Sequence, residues 1–187
     1  MMRRFCGAIA LVVAAGVPGA AHAHEFIAKP GAMTVQADAE LPVDGLSSHV
    51  FLISQELEAP KDVKVGFYAN GKRTDIAVKP NEKTLAYDGS VTAPSSATFI
   101  VTGARLPQIW ATTPEGLKQI TRKIAGATNP YKIEKFSKAL VNVTPADNGF
   151  STVIGDTLEI VPVTNPATVR PSDEMTVRVL APTPTIP

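Results

Sequence analysis

Cysteine is nearly absent: Cys6 is the only one in 187 residues, which excludes a disulfide framework, a CxxC redox pair and a cysteine-rich zinc site. Charge of one sign is lacking too. Eighteen lysines and arginines against seventeen acids leave a net charge of +1, so there is no basic surface for nucleic acid. Aromatic residues make up 6% of the chain and include a single tryptophan, Trp110, which is thin for a sugar-stacking face. There is no GxSxG elbow, HExxH helix, glycine-rich phosphate loop or EF-hand loop. The carboxylates are scattered without glycosidase-like pairing. Histidine is as scarce as the rest, with only His22, His24 and His49.

The N-terminus has the layout of a secretory leader. Arg3 and Arg4 form a basic start, Phe5 to Val17 an apolar stretch, and Ala21-His22-Ala23 a small-x-small cleavage site. The apolar stretch is too short for a spanning helix, and no transmembrane segment is expected after cleavage. The expected organisation is therefore a signal peptide at 1–23, one β-sandwich domain at 24–180 and a Pro/Thr tail at 181–187. Removing Arg3 and Arg4 with the leader moves the net charge from +1 to −1, and Cys6 leaves as well. An exported, bacterial, periplasmic location follows from this reading. Cuts after Ala21 or Ala20 are also conceivable.

Sixteen prolines and thirteen glycines favour a turn-rich β protein. Short strand-like runs follow one another at 33–37, 49–53, 63–68, 74–78, 84–87, 97–102, 108–111, 158–163 and 175–180. Asn70-Gly71 reads as a tight hairpin turn. The pattern predicts a mainly β fold, an immunoglobulin-like β-sandwich. A short helical insertion is expected near residues 113–140. Thr113-Pro114-Glu115 resembles a helix start, Leu117, Ile120 and Ile124 share helical spacing, and Ile133, Phe136 and Leu140 repeat it. Its cations Lys118, Arg122, Lys123, Lys132, Lys135 and Lys138 read as a solvated face.

The candidate chemistry is metal binding. Cleavage after Ala23 makes His24 the new N-terminus, where one residue offers two chelating nitrogens. Its amine has a reference pKa of about 7.7–8.0 and its imidazole about 6.5, so a metal displaces both protons near neutral pH. His49 is the one other imidazole that can complete a three-nitrogen histidine brace. Such donors suit Ni(II), Co(II) or Cu(II). Glu25, Met33, Asp44, Glu56 and Glu58 are weaker candidates as further ligands.

Five segments carry a family resemblance: His24-Glu25-Phe26; Ser48-His49-Val50-Phe51; Ile109-Trp110-Ala111-Thr112-Thr113-Pro114-Glu115-Gly116; Lys135-Phe136-Ser137-Lys138-Ala139-Leu140-Val141; and Gly155 to Pro166. In this order they resemble the periplasmic component family of nickel/cobalt uptake systems, many of whose members are known only as a domain of unknown function. The resemblance implies a non-catalytic divalent transition-metal binder, Ni or Co first and Cu next, held by His24 and His49 and serving a membrane metal transporter. Two alternatives compete with it: a histidine-brace copper monooxygenase acting on polysaccharide, and an immunoglobulin-like interaction module without metal.

Overall fold

The computed structural model describes residues 25–182 apart from 96 and 123. The expected signal peptide, His22, His24 and the end of the Pro/Thr tail lie outside the described residues.

Two antiparallel sheets face each other. One has the order β1 (Glu25–Pro30), β2 (Glu40–Ser48), β6 (Ala86–Thr92), β5 (Val78–Asn81). The other runs β4 (Lys72–Asp75), β3 (Val63–Ala69), β7 (Phe99–Thr113), with β9 (Thr128–Val141) on the far edge of β7. In chain order these are the A-B-E-D and C-F-G strands of the immunoglobulin sandwich, with β4 as an added C′ strand. A separate ribbon, β10 (Glu159–Pro162) with β11 (Val177–Leu180), follows.

The core is the layer between the two sheets. Phe26, Ala28, Leu41, Val43, Tyr87 and Val91 come from the first sheet, and Val63, Val65, Phe99, Val101 and Val141 from the second. Period-two alternation puts each set on one face. β1 also leans against β9, where the Ala28 N–H donates to Ser137 Oγ at 2.9 Å. That approach requires Gly103, because a Cβ there would lie 2.6 Å from Ser137 Oγ and 2.9 Å from Ala28 Cβ. The hairpin at Asn70-Gly71 forms as expected, both residues having positive φ and Ala69 pairing with Lys72.

The helical insertion expected over 113–140 does not form. β7 runs on to Thr113, the chain reverses at Pro114-Glu115, β8 (Gly116–Ile120) returns along β7, and β9 opens at Thr128. A hydroxyl, proline, acid and glycine in succession also spell a tight β-turn, with proline in its second position and glycine in its fourth. Here Thr113 Oγ1 accepts from the Glu115 N–H at 3.3 Å and donates to the Gly116 carbonyl at 2.9 Å, while Gly116 takes φ +108°. The apparent helical spacing has a different cause. Ile120 and Ile124 meet Ala111, Ala127 and Pro130 around an apolar cavity of about 310 Å³. Leu117 of the same set is exposed. Among the described residues the only helical turns are three of the 3-10 type, three residues each.

The cationic face dissolves with the helix. Lys138 is buried against Glu159, its Nζ 2.7 Å from Oε1, while Lys118 and Lys132 pair with Glu115 and Glu134. Lys123 lies outside the described residues. β7 changes partners halfway: residues 100–105 pair with β3, and residues 109–113 pair with β8 on the same edge. At the changeover Trp110 Nε1 donates to Gln108 Oε1 at 3.2 Å, and Gln108 Nε2 donates to Asp62 Oδ2 at 3.3 Å. Among the described residues no helix is long and apolar enough to cross a membrane.

Candidate metal centre

β1 and β2 pair from Pro30 opposite Val43 to Glu25 opposite Ser48. The last pair lies at one end of the first sheet, and a peptide bond joins Ser48 to His49. His49 does not open a buried strand, as its apolar neighbours led us to expect. The chain leaves the sheet there, and His49, Val50, Phe51, Leu52 and Ile53 are all exposed, Phe51 at 71%. Ile53 N–H closes a tight turn onto the Val50 carbonyl at 3.0 Å, with Leu52 held at φ +61°.

The base of this loop is tied back to the sheet. Gln55 N–H and Glu56 N–H both donate to the Ser47 carbonyl, at 2.9 and 3.3 Å. The Gln55 side chain turns toward the start of the loop, where its Oε1 accepts from the His49 N–H at 2.7 Å and from the Val50 N–H at 3.2 Å. Ser54 Oγ reaches the Leu85 carbonyl at 2.5 Å, pinning the loop to the entry of β6. His49 is thus presented from a fixed main chain at the sheet's end.

Beneath it the sandwich interior turns polar. Ser47 Oγ lies 3.1 Å from both Glu56 Oε1 and Glu58 Oε1, sharing its one proton between two carboxylates. Glu58 also meets Arg105, whose Nε stands 2.7 Å from Glu58 Oε1 with both side chains nearly buried. The Arg105 Nε–H is not aligned for a hydrogen bond, so this contact is chiefly electrostatic. Burial lowers the Lys135 ammonium's pKa, and Arg105 adds to that, against opposing pulls from Glu58, Glu56 and Glu25. Burial likewise pushes the Tyr87 phenol up, helped by Glu58 and Asp62.

The weaker ligand candidates separate on this geometry. Glu58 is committed to Arg105 and Ser47, and Glu56 to Ser47. Asp44 sits four residues down β2, about 13 Å away at the strand rise. Met33 lies beyond the other end of β1. Glu25 alone sits in the terminal pair. Among the described residues no group of three or more His, Cys, Asp or Glu side chains is placed to hold a metal. One buried group is left over. The Ser48 hydroxyl is fully buried and has no hydrogen-bond partner among the described residues, and an orphaned buried hydroxyl requires an explanation. It lies in the terminal pair, one residue from His49. Sequence reasoning singled out neither Ser48 nor Gln55. Ser48 entered only as part of the Ser48-His49-Val50-Phe51 segment, and the relation of Gln55 to His49 arises only when the chain turns back on Ser47.

A family model described as a domain of unknown function (DUF4198) matches residues 21–182. None of the curated proteins matches the chain.

Proposed function

The chain belongs to the DUF4198 family, and we propose that it is an exported, non-catalytic protein that binds a divalent transition metal. The ion is Ni(II) or Co(II), with Cu(II) also accommodated, and is cargo for a membrane uptake transporter. The ligands are the His24 amine, the His24 imidazole and the His49 imidazole.

The observation that carries this reading is the terminal pair. Antiparallel pairing sets residues that are distant in the sequence opposite each other. Glu25 and Ser48 are such a pair; His24 precedes the first and His49 follows the second. Two histidines 25 positions apart in the sequence are therefore each one peptide bond from the terminal pair of one ladder. The Ser48 hydroxyl, without a partner among the described residues, supports the reading, because it leaves unused polar capacity in that same pair. Glu25 supplies a carboxylate in the same terminal pair, and the nitrogen-rich donor set favours late first-row divalent ions.

Calorimetric titration with Ni(II), Co(II) and Cu(II) of protein exported and processed by its own leader tests the reading. A second preparation carries one extra methionine before His24. The native form is expected to bind at least tenfold more tightly, because the extension displaces the amine from His24. Equal affinities of the two forms would remove the amine from the ligand set.

A further inference from the structure

We propose that Gln55 is a positioning residue for metal binding at His49; this rests on the reading above and concerns the same site. One side-chain oxygen accepts from two successive backbone N–H groups, those of His49 and Val50. Together they orient the peptide planes on either side of the His49 Cα, and so set the direction in which its Cα–Cβ bond leaves the chain. Gln55 is itself fixed, because its own N–H is bonded to the Ser47 carbonyl at 2.9 Å. The brace is closed through Ser47, two residues before His49, so the loop's entry and exit are held as one unit.

The chemistry follows from that geometry. A histidine in an exposed loop would have to give up main-chain freedom each time it captured an ion. Fixing one residue's backbone costs enough to change an affinity by about tenfold. Gln55 meets that cost in the metal-free protein, before an ion arrives. Gln55 touches no metal in this scheme and acts only through His49.

Gln55→Met keeps the length of the side chain and removes its acceptor, while Gln55→Glu keeps an acceptor at the same reach. Ni(II) affinity is measured by calorimetry on processed protein for both variants, alone and combined with His49→Ala, together with the metal-free melting temperature. Gln55→Met is expected to bind about tenfold more weakly. Gln55→Glu is expected to stay near wild type once the effect of its charge, read in the His49→Ala background, is subtracted. In that background Gln55→Met should cause no further loss, an outcome that a general structural role would not produce. Should Gln55→Met fail to fold, the Gln55→Ala variant takes its place. Wild-type affinity in Gln55→Met, an equal loss in the His49→Ala background, or failure of Gln55→Glu to restore binding would each overturn the assignment. If His49→Ala alone binds as wild type does, the metal reading itself falls, which separates that failure from the failure of Gln55.

Discussion

Replacing Glu159 with alanine is expected to destabilise the fold more than most single changes, and the reason can be worked out atom by atom. The Glu159 side chain is 1% exposed and takes three donors: Lys138 Nζ at 2.7 Å, Ile154 N–H at 2.8 Å and Gly155 N–H at 2.9 Å. The carboxylate thus joins β9, β10 and the 152–155 loop. Its removal leaves the Lys138 ammonium, on a side chain 11% exposed, with the Thr152 carbonyl, and orphans two backbone donors. Breaking a buried pair from one side costs about 3–5 kcal/mol. At about 2–4 °C per kcal/mol for a domain of this size, the melting temperature should fall by about 6–20 °C. Acid should separate the charge from the packing. Burial pulls the Glu159 pKa upward, but the Lys138 hydrogen bond and the two N–H groups outweigh it and leave the carboxyl below its ordinary 4.5. A group lowered in this way contributes stability above its unfolded pKa and loses it as pH falls through the folded value. Wild type should therefore lose this increment as pH drops below about 4.5, and Glu159→Gln should not. Thermal unfolding followed by circular dichroism at pH 7 and over pH 5–3 measures both. A drop under about 2 °C in Glu159→Ala, or parallel acid profiles for wild type and Glu159→Gln, would refute the reasoning.

Three further outcomes are expected. Metal affinity should fall as pH goes from about 7.5 to about 5, since protons compete for an amine and two imidazoles with reference values between about 6.5 and 8; a flat calorimetric profile would exclude nitrogen ligation. Unfolding in urea should abolish tight binding, because His24 and His49 are joined only by the fold; binding that survives points instead to a cut after Ala21 and a site local to the first three residues. Gly103→Ala should cost about 1–3 kcal/mol in chemical denaturation, because its methyl group falls on Ser137 Oγ and Ala28 and must push β1 off β9.

The sandwich was legible in the sequence because several of its strands carry clean patterns: Val63 to Tyr68 alternates, and Asn70-Gly71 permits one kind of turn. β1 and β2 were not legible. β2 contains Pro42, Asp44 and Gly45, all disfavoured in strands, and is held by burial between β1 and β6 rather than by propensity. The reverse error occurred at Met33–Ala37, whose alternation is that of a strand. There the chain forms an arch bonded to Asn142, with Val35 N–H on Asn142 Oδ1 at 2.8 Å and the Met33 carbonyl accepting from Asn142 N–H at 2.9 Å. Thr113 to Gly116 was ambiguous because helix caps and type I turns draw on the same residues. Only the glycine in fourth place argued for the turn. Of the candidate centre, both histidines could be named from the sequence, since histidine is scarce. The Ser48 hydroxyl, the Gln55 brace and the commitment of Glu58 to Arg105 depend on which residues the turn at 49–56 brings together, and no spacing rule encodes that.

The change of partners along β7 gives one strand two different mechanical lives. From Phe99 to Arg105 it lies in the middle of a sheet and over the core, so releasing those amides means dismantling the sandwich. From Ile109 to Thr113 it is flanked only by β8 and the first half of β9, around a small cavity of its own. Opening that outer ribbon would break no ladder bond of Val101 or Val141. The bulge between Arg105 and Gln108 is the natural point for the tear to stop, held there by the Gln108 bond to Asp62. The outer half of β7 thus shares no ladder bond with β1 or β2, the strands that lead to His49.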